Sequence, residues 1–380
     1  MMQAILERST QEFHREVNLA IDLVKSKKIP DELELFKTWL YAFYGKINDE
    51  LKRISYWITL NDPSIYPDIF LELSKLQRYF RLLNSRYLPS LHRHNNGDIA
   101  SLKILDWIHT LHTQTTNKPF LIVDGDFGIY PTIESPLTYS LPVTSQYSLL
   151  HTPLFFHELG HYLYTYHDSE MNQLVNELQK KIEERLTTPF QNNDLVSEEE
   201  KKRIKIVVET WYEWAQELYC DAVGLEIGGA TYLKTFSQYL LLSGKTAFYV
   251  KVADLAKRSH PVTMIRIKFL ISRAKKLGLE KEANQLEAEW KSVATMLNMK
   301  EDYFGYYADE YHNDINNILD DMITESSPMR FTDFSLPEIA NYDPKRDNYL
   351  QLINLAWKKY TDDPLGYSAW ERQILQVVAQ

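Results

Sequence analysis

Only one cysteine, Cys220, occurs in 380 residues. No intramolecular disulfide can form, so the fold does not depend on an oxidising compartment. Glycine is scarce, at 12 residues, and the sequence has neither an internal repeat nor a low-complexity tract. These absences argue against a repeat protein or a disordered chain. No run approaches the roughly 20 apolar residues of a membrane span. Even Tyr239 to Val250 is short and is interrupted by Lys245. Positive charge is in deficit, 42 Lys and Arg against 52 Asp and Glu, for a net charge of −10. That balance gives no footprint for nucleic acid, and no basic amphipathic stretch reads as a membrane anchor. The opening MMQAILERSTQEFHREVNLAIDLV scatters charges through its apolar pattern and lacks a signal-peptide core. The expected location is the cytoplasm, with no nucleic-acid partner and no membrane insertion.

What the chain has in quantity is aromatic, 25 tyrosines and 8 tryptophans. With so little glycine, this composition predicts a predominantly α (α+β) globular protein with a real core. Apolar spacing predicts helices over about 9–27, 31–59, 66–84 and 98–115, with breaks near Pro30, Pro63, Pro67 and His94-Asn95-Asn96-Gly97. The texture changes at Pro119. Phe120 to Val123 and Ile129-Tyr130, either side of Asp124-Gly125-Asp126-Phe127-Gly128, predict two short strands joined by a turn. A loop-rich stretch with Pro131, Pro136 and Pro142 follows. Later helices are expected over about 168–187, 197–227, 230–243, 262–276, 280–298, 310–325 and 346–360, and Ser197 with Glu200 matches a capping box. The expected organisation is a helical region over 1–118, a core over 119–280 and a second helical region over 281–380. His92, His94, His109 and His112 read as surface or core residues rather than ligands. The i, i+3 pair His109 and His112 lacks a carboxylate or thiol partner in sequence.

The chemistry is concentrated in His157-Glu158-Leu159-Gly160-His161. On a helix the two histidines lie one turn apart on one face, where both imidazoles can reach one tetrahedral zinc, with Glu158 beside the open position. Thr152 as N-cap and Pro153 as first helical residue would start that helix. A catalytic zinc needs a third protein ligand. In the expected helix over 197–227, which carries Glu209 to Gly224, the apolar stripe runs through Ile204, Val207, Trp211, Trp214, Leu218, Ala222 and Leu225. At about 100° per residue, Asp221 lies nearest that stripe, then Glu217, with Glu213 and Glu209 further towards solvent. Glu217 therefore has the better claim to the metal. Asp221, one turn on, can hold the tautomer of a ligating histidine. Cys220 reads as a small apolar filler directed away from Glu217.

HELGH followed by Glu217-Leu-Tyr-Cys-Asp221 resembles the gluzincin pattern HExxH…ExxxD. Within that group the chain most resembles the CAAX-prenyl-endopeptidase and HtpX-like family, because Ser259-His260-Pro261-Val262-Thr263-Met264-Ile265-Arg266 is similar to its later HP…R segment. The resemblance spans roughly 119–275. It implies a zincin-like core with one zinc held by His157, His161 and Glu217, and Glu158 as general base. It also implies Asp221 as the supporting carboxylate, and His260 and Arg266 as groups that bind substrate or stabilise the oxyanion. Two departures stand out: Cys220 replaces the usual alanine, and the family's transmembrane helices are missing. The expected activity is therefore zinc-dependent endoproteolysis of a restricted peptide or protein substrate, with the helical flanks available to a regulatory partner. The competing expectation is a regulatory or interaction protein that uses zinc to stabilise a scaffold.

Overall fold

In the computed structural model, residues 2–92, 95–131, 136–188, 197–241, 248, 251–299, 303–336 and 339–380 are described. They form two compact units, 1–147 with 375–380, and 148–374. The division cuts across the three segments expected from the sequence. Strands after residue 119 belong with the first unit, and the chain after 281 belongs with the second as far as residue 374.

The first unit begins with α1 (Met2–Ser26), α2 (Glu34–Thr59) and α3 (Tyr66–Leu82). Buried Leu6, Thr10, Phe13, Val17, Ala20 and Val24 recur every three or four residues on α1, and so do Phe36, Leu40, Tyr44, Ile47, Leu51, Ile54 and Ile58 on α2. Such stripes let two helices lie along each other. Phe80 of α3 closes the layer, its ring edge-on to Phe13 at 5.2 Å. After α4 (Asn96–Thr110) come β1 (Phe120–Asp124), β2 (Gly128–Tyr130) and β3 (Leu137–Leu141).

The expected hairpin is not formed. β3 lies between the other two strands, parallel to β1 with Phe120 opposite Leu137, and antiparallel to β2 with Gly128 opposite Ser140. Pro136 and Pro142 flank β3 without entering it, so they remove no ladder hydrogen bond. A segment that reads as a punctuated loop is thus the central strand. His109 and His112 are core residues. His109 stacks on Phe120 at 4.9 Å with Nε2 3.0 Å from the Tyr139 hydroxyl, and His112 Nδ1 lies 2.8 Å from the Ile108 carbonyl. Burial pushes the His109 imidazole down to about 3. His94 lies outside the described residues.

The second unit contains α5 (Leu154–Tyr166), α6 (Asp168–Thr187), α7 (Glu198–Gly228), α8 (Ala230–Leu241), α9 (Val252–Leu255), α10 (Thr263–Lys276), α11 (Glu280–Met296), α12 (His312–Ser326) and α13 (Tyr349–Asp362). A last helix, α14 (Tyr367–Val378), was not expected from the sequence. α7 is the spine, with α5, α6, α8, α10 and α12 packed on it. The aromatic surplus fills this core: Trp211, Trp214, Trp290, Tyr162, Tyr219, Tyr232, Phe156 and Phe269 are all fully buried. Predominantly helical architecture with a small sheet is what composition and spacing predict. No helix among the described residues is long and apolar enough to cross a membrane.

Both ends of α7 are fixed chemically. Ser197 Oγ accepts the Glu200 N–H at 3.2 Å, and Gly229 stops the helix with a positive φ of +52° that favours glycine. α5 starts differently from expectation. Its first amides bond back through the chain, Leu154 to His151 and Phe155 to Thr152, while the Thr152 hydroxyl points to the Ser148 carbonyl and caps nothing. The approach to α5 is pinned instead by Glu371, which accepts the Leu149 N–H at 2.7 Å, and by Thr235, which donates to the Leu150 carbonyl at 2.8 Å.

Candidate metal centre

Three helices and one turn bring all seven residues singled out in the sequence together. α5 supplies His157, Glu158 and His161, α7 supplies Glu217 and Asp221, the turn before α10 supplies His260, and α10 supplies Arg266. Burial along α7 follows the expected order. Glu217 and Asp221 are buried, whereas Glu209 and Glu213, a turn or two earlier, face solvent.

Glu217 is the hub. Its Oε2 lies 3.5 Å from His157 Nε2 and its Oε1 lies 3.6 Å from His161 Nε2. Donors around a tetrahedral zinc with bonds near 2.0–2.1 Å stand about 3.4 Å apart, close to each of these two spacings, which run to different oxygens of Glu217; among the described residues of this site the donor atoms that all lie within 4.8 Å of one another are those of His157, His161 and Cys220. Oε2 of Glu217 is buried and accepts no hydrogen bond among the described residues, although His260 Nε2 is 3.2 Å away and Arg266 Nη2 3.5 Å away. A buried carboxylate oxygen without a hydrogen bond is costly, and a cation would satisfy it. On that ground the donor set fits a divalent metal.

Behind the donors lies a buried network. Asp221 accepts Arg266 Nε and Nη2, both at 2.7 Å, and the Tyr232 hydroxyl at 3.1 Å. His157 Nδ1 stands 2.9 Å from Asp221 Oδ1, although the ring N–H is not aligned on that oxygen. The contact turns Nε2 towards Glu217. The Arg266 guanidinium also lies over the Phe236 ring at 4.7 Å, and Phe236 stacks on His157. The resemblance gives Arg266 a substrate or oxyanion role, but its donor fork is committed to Asp221. A buried guanidinium must be paired, and here the pairing makes it a positioning group for the carboxylates. His260 is different. Its side chain is 51% exposed, against 19% for His161, so the approach from solvent lies on the His161–His260 side.

Burial sets the electrostatics. It pushes the Glu158 carboxyl up to about 7 and the His161 imidazole down to about 4. For His157 burial also pushes down, but Asp221 and Glu217 outweigh it and hold the imidazole up at about 10. Both carboxyls are lowered in turn. For Glu217, burial is overcome by His157 and Arg266, and for Asp221 mainly by Arg266.

Sequence reasoning missed Tyr232 and Phe236. Aromatics spaced i, i+4 read as core, and nothing in the pattern marks them as neighbours of the site. Cys220 is the other correction. It is buried, but it is not directed away from the site: its Sγ lies within 4.8 Å of a ring nitrogen of both His157 and His161. Residues i and i+3 on a helix share a flank, which is why Cys220 accompanies Glu217. The thiol is pushed well up by burial and by the acids around it. It serves the packing too. A Cβ at Gly160 would fall 2.8 Å from Cys220 Cα and 3.2 Å from its Sγ, so glycine is what lets α5 approach α7.

Gly160→Ala therefore forces two helix backbones apart. Overpacking of this kind costs roughly 1–3 kcal/mol, which should lower the melting temperature by about 3–10 °C and weaken metal retention together. Unchanged melting and metal content would show that the two helices do not touch there.

Comparison of the chain with family models, curated proteins and solved structures returned no match.

Proposed function

We propose that the protein is a zinc-dependent endopeptidase of the gluzincin type, acting on a restricted protein substrate. The observation that supports it most is the pair of contacts from His157 and His161 to Glu217 at close to metal spacing, with a buried Glu217 oxygen that no described group hydrogen-bonds, and Glu158 on the same helix as the two histidines. When bound, zinc would polarise a peptide carbonyl and acidify a water. His157, His161 and Glu217 would hold it. Glu158, raised to about 7, would take the proton of the attacking water near neutral pH and return it to the leaving amine. Asp221, Arg266 and Tyr232 keep His157 and Glu217 in register. His260, exposed and 3.2 Å from Glu217, faces the side from which a substrate would come.

The deep burial of Glu158 and Glu217 favours one alternative, a zinc-stabilised scaffold that binds a partner without general proteolysis. Metal analysis combined with proteome-wide labelling of new N-termini separates the two. The expected result is one zinc per chain and a small set of cleavages that vanish on chelation and return with zinc. Zinc without cleavage would leave the scaffold, and no zinc after loading would end both readings.

Zinc binding should also be strongly pH dependent. Without a metal, Asp221 and Glu217 hold the His157 imidazole above its ordinary value, and a metal can bind only the neutral ring. Above neutrality the apparent affinity should therefore rise with pH, by up to about tenfold per pH unit while His157 stays protonated, with about one proton released per zinc from this residue. Calorimetry in buffers of different ionisation enthalpy measures that proton directly. A flat affinity profile over this range would show that zinc does not displace it.

A further inference from the structure

The second unit holds the candidate metal centre, but an open apolar groove belongs to the first. It runs between the first turns of α1 and the length of α3, encloses about 1000 Å³, and is lined by Met2, Ile5, Phe70 and Leu73 among others. Its apolar walls are unusually bare. Phe70 is 66% exposed and Met2 54%, and Leu71 beside it is exposed as well. A contiguous patch of large apolar side chains on a surface helix marks an interaction site more often than chance.

Charge identifies the occupant. The only charged side chains among the described residues that line the groove are Arg78 and Arg81, both on the last turns of α3, in a chain of net charge −10. Neither makes an ion pair or hydrogen bond among the described residues. Glu72 pairs with Lys75, and Glu7 accepts a hydrogen bond from Gln3. Shape narrows it further. From Tyr66 to Arg81 the groove follows one helix for roughly 22 Å, about four helical turns. It is open along its side, as a trough between two helices is, whereas a small ligand is usually enclosed on most of its surface. We propose that this groove seats an amphipathic helix of a partner protein, apolar on one face and acidic on the flank that meets Arg78 and Arg81. The inference does not depend on the peptidase reading.

The test uses the full chain and two fluorescein-labelled helical peptides of about 20 residues, long enough for the groove. Both carry leucine at i, i+3, i+4 and i+7, one with glutamate flanks and the other with lysine flanks. The expected result is saturable binding of the glutamate peptide, with the lysine peptide at least tenfold weaker. Phe70→Glu should abolish binding of both. Arg78→Glu with Arg81→Glu should invert the preference, an outcome that general stickiness cannot give. All three positions are exposed, so the variants should fold, and circular dichroism checks this. Equal affinity for the two peptides would overturn the proposal. So would displacement of the glutamate peptide by laurate at stoichiometric concentration, which would make the groove a site for anionic amphiphiles. Sedimentation showing a dimer that Phe70→Glu dissociates would overturn it too, in favour of a second copy of this chain.

Discussion

Glu158→Gln should lower cleavage of a confirmed substrate by about 100- to 10,000-fold, the usual contribution of a positioned general base, while zinc remains at one per chain. The amide keeps the size and much of the polarity of the carboxyl, so the buried position is not left empty, and Glu158 is not among the donors grouped around Glu217. What it loses is the capacity to take a proton. Because burial raises Glu158 to about 7 in the metal-free protein, its ionised fraction falls as pH drops through that range. A bound cation would move the transition lower, so the acidic limb of the wild-type rate profile should lie at or below about 7. The residual activity of Glu158→Gln should lack that limb. Undiminished cleavage by a variant that retains its zinc would remove Glu158 from the mechanism and, with it, the main chemical reason for reading HELGH as a peptidase motif. Equal loss of zinc and of activity would instead assign Glu158 a structural part.

How far that argument was available from sequence depends on which physical rule places each residue. His157 and His161 are four apart on a helix, and local geometry alone puts their rings together. Glu217 follows from the angle between it and the apolar stripe of α7, and its burial, with Glu209 and Glu213 left in solvent, agrees. Periodicity cannot specify a partner across helices. Nothing in the sequence around Tyr232 says that its hydroxyl will meet Asp221, or that Phe236 will lie between His157 and Arg266. His260 and Arg266 entered only through the resemblance; both lie beside Glu217, but the resemblance does not foresee that Arg266 will be held by Asp221. β3 failed for a different reason. Five residues between two prolines carry too little alternation to outweigh the turn signals around them, and the pairing that makes them a central strand is non-local.

Asp221→Ala should be the most destabilising single change at the site. Asp221 takes two hydrogen bonds from a buried Arg266 that cannot lose its charge, so removing the carboxylate leaves a guanidinium with Glu217 as its remaining acidic neighbour, at 3.5 Å. Breaking one side of a buried ion pair costs about 3–5 kcal/mol, which should lower the melting temperature by roughly 10 °C. Asp221 is held below its ordinary value, so the sign is fixed. Its contribution is complete above the unfolded carboxyl range near 4 and is lost as pH falls through the lower folded value. The difference in stability between wild type and Asp221→Ala should therefore be full at pH 7 and shrink only under strong acid. Three controls give the experiment its resolution. Asp221→Asn keeps an acceptor for Arg266 and should fall between the two. Glu213→Ala, on the solvent flank of α7, should change stability by no more than about 0.5 kcal/mol. The double variant Asp221→Ala with Arg266→Met removes both charges and should recover part of the loss, since a neutral, packed replacement for a buried pair is often tolerated. That double variant should still bind zinc poorly, because His157 has lost the carboxylate beside its Nδ1 and Glu217 has lost one of its cationic neighbours. Stability regained without metal affinity is the signature of a network that positions the donors as well as packing the core. If both returned together, Asp221 and Arg266 would be core residues that happen to lie near a metal site.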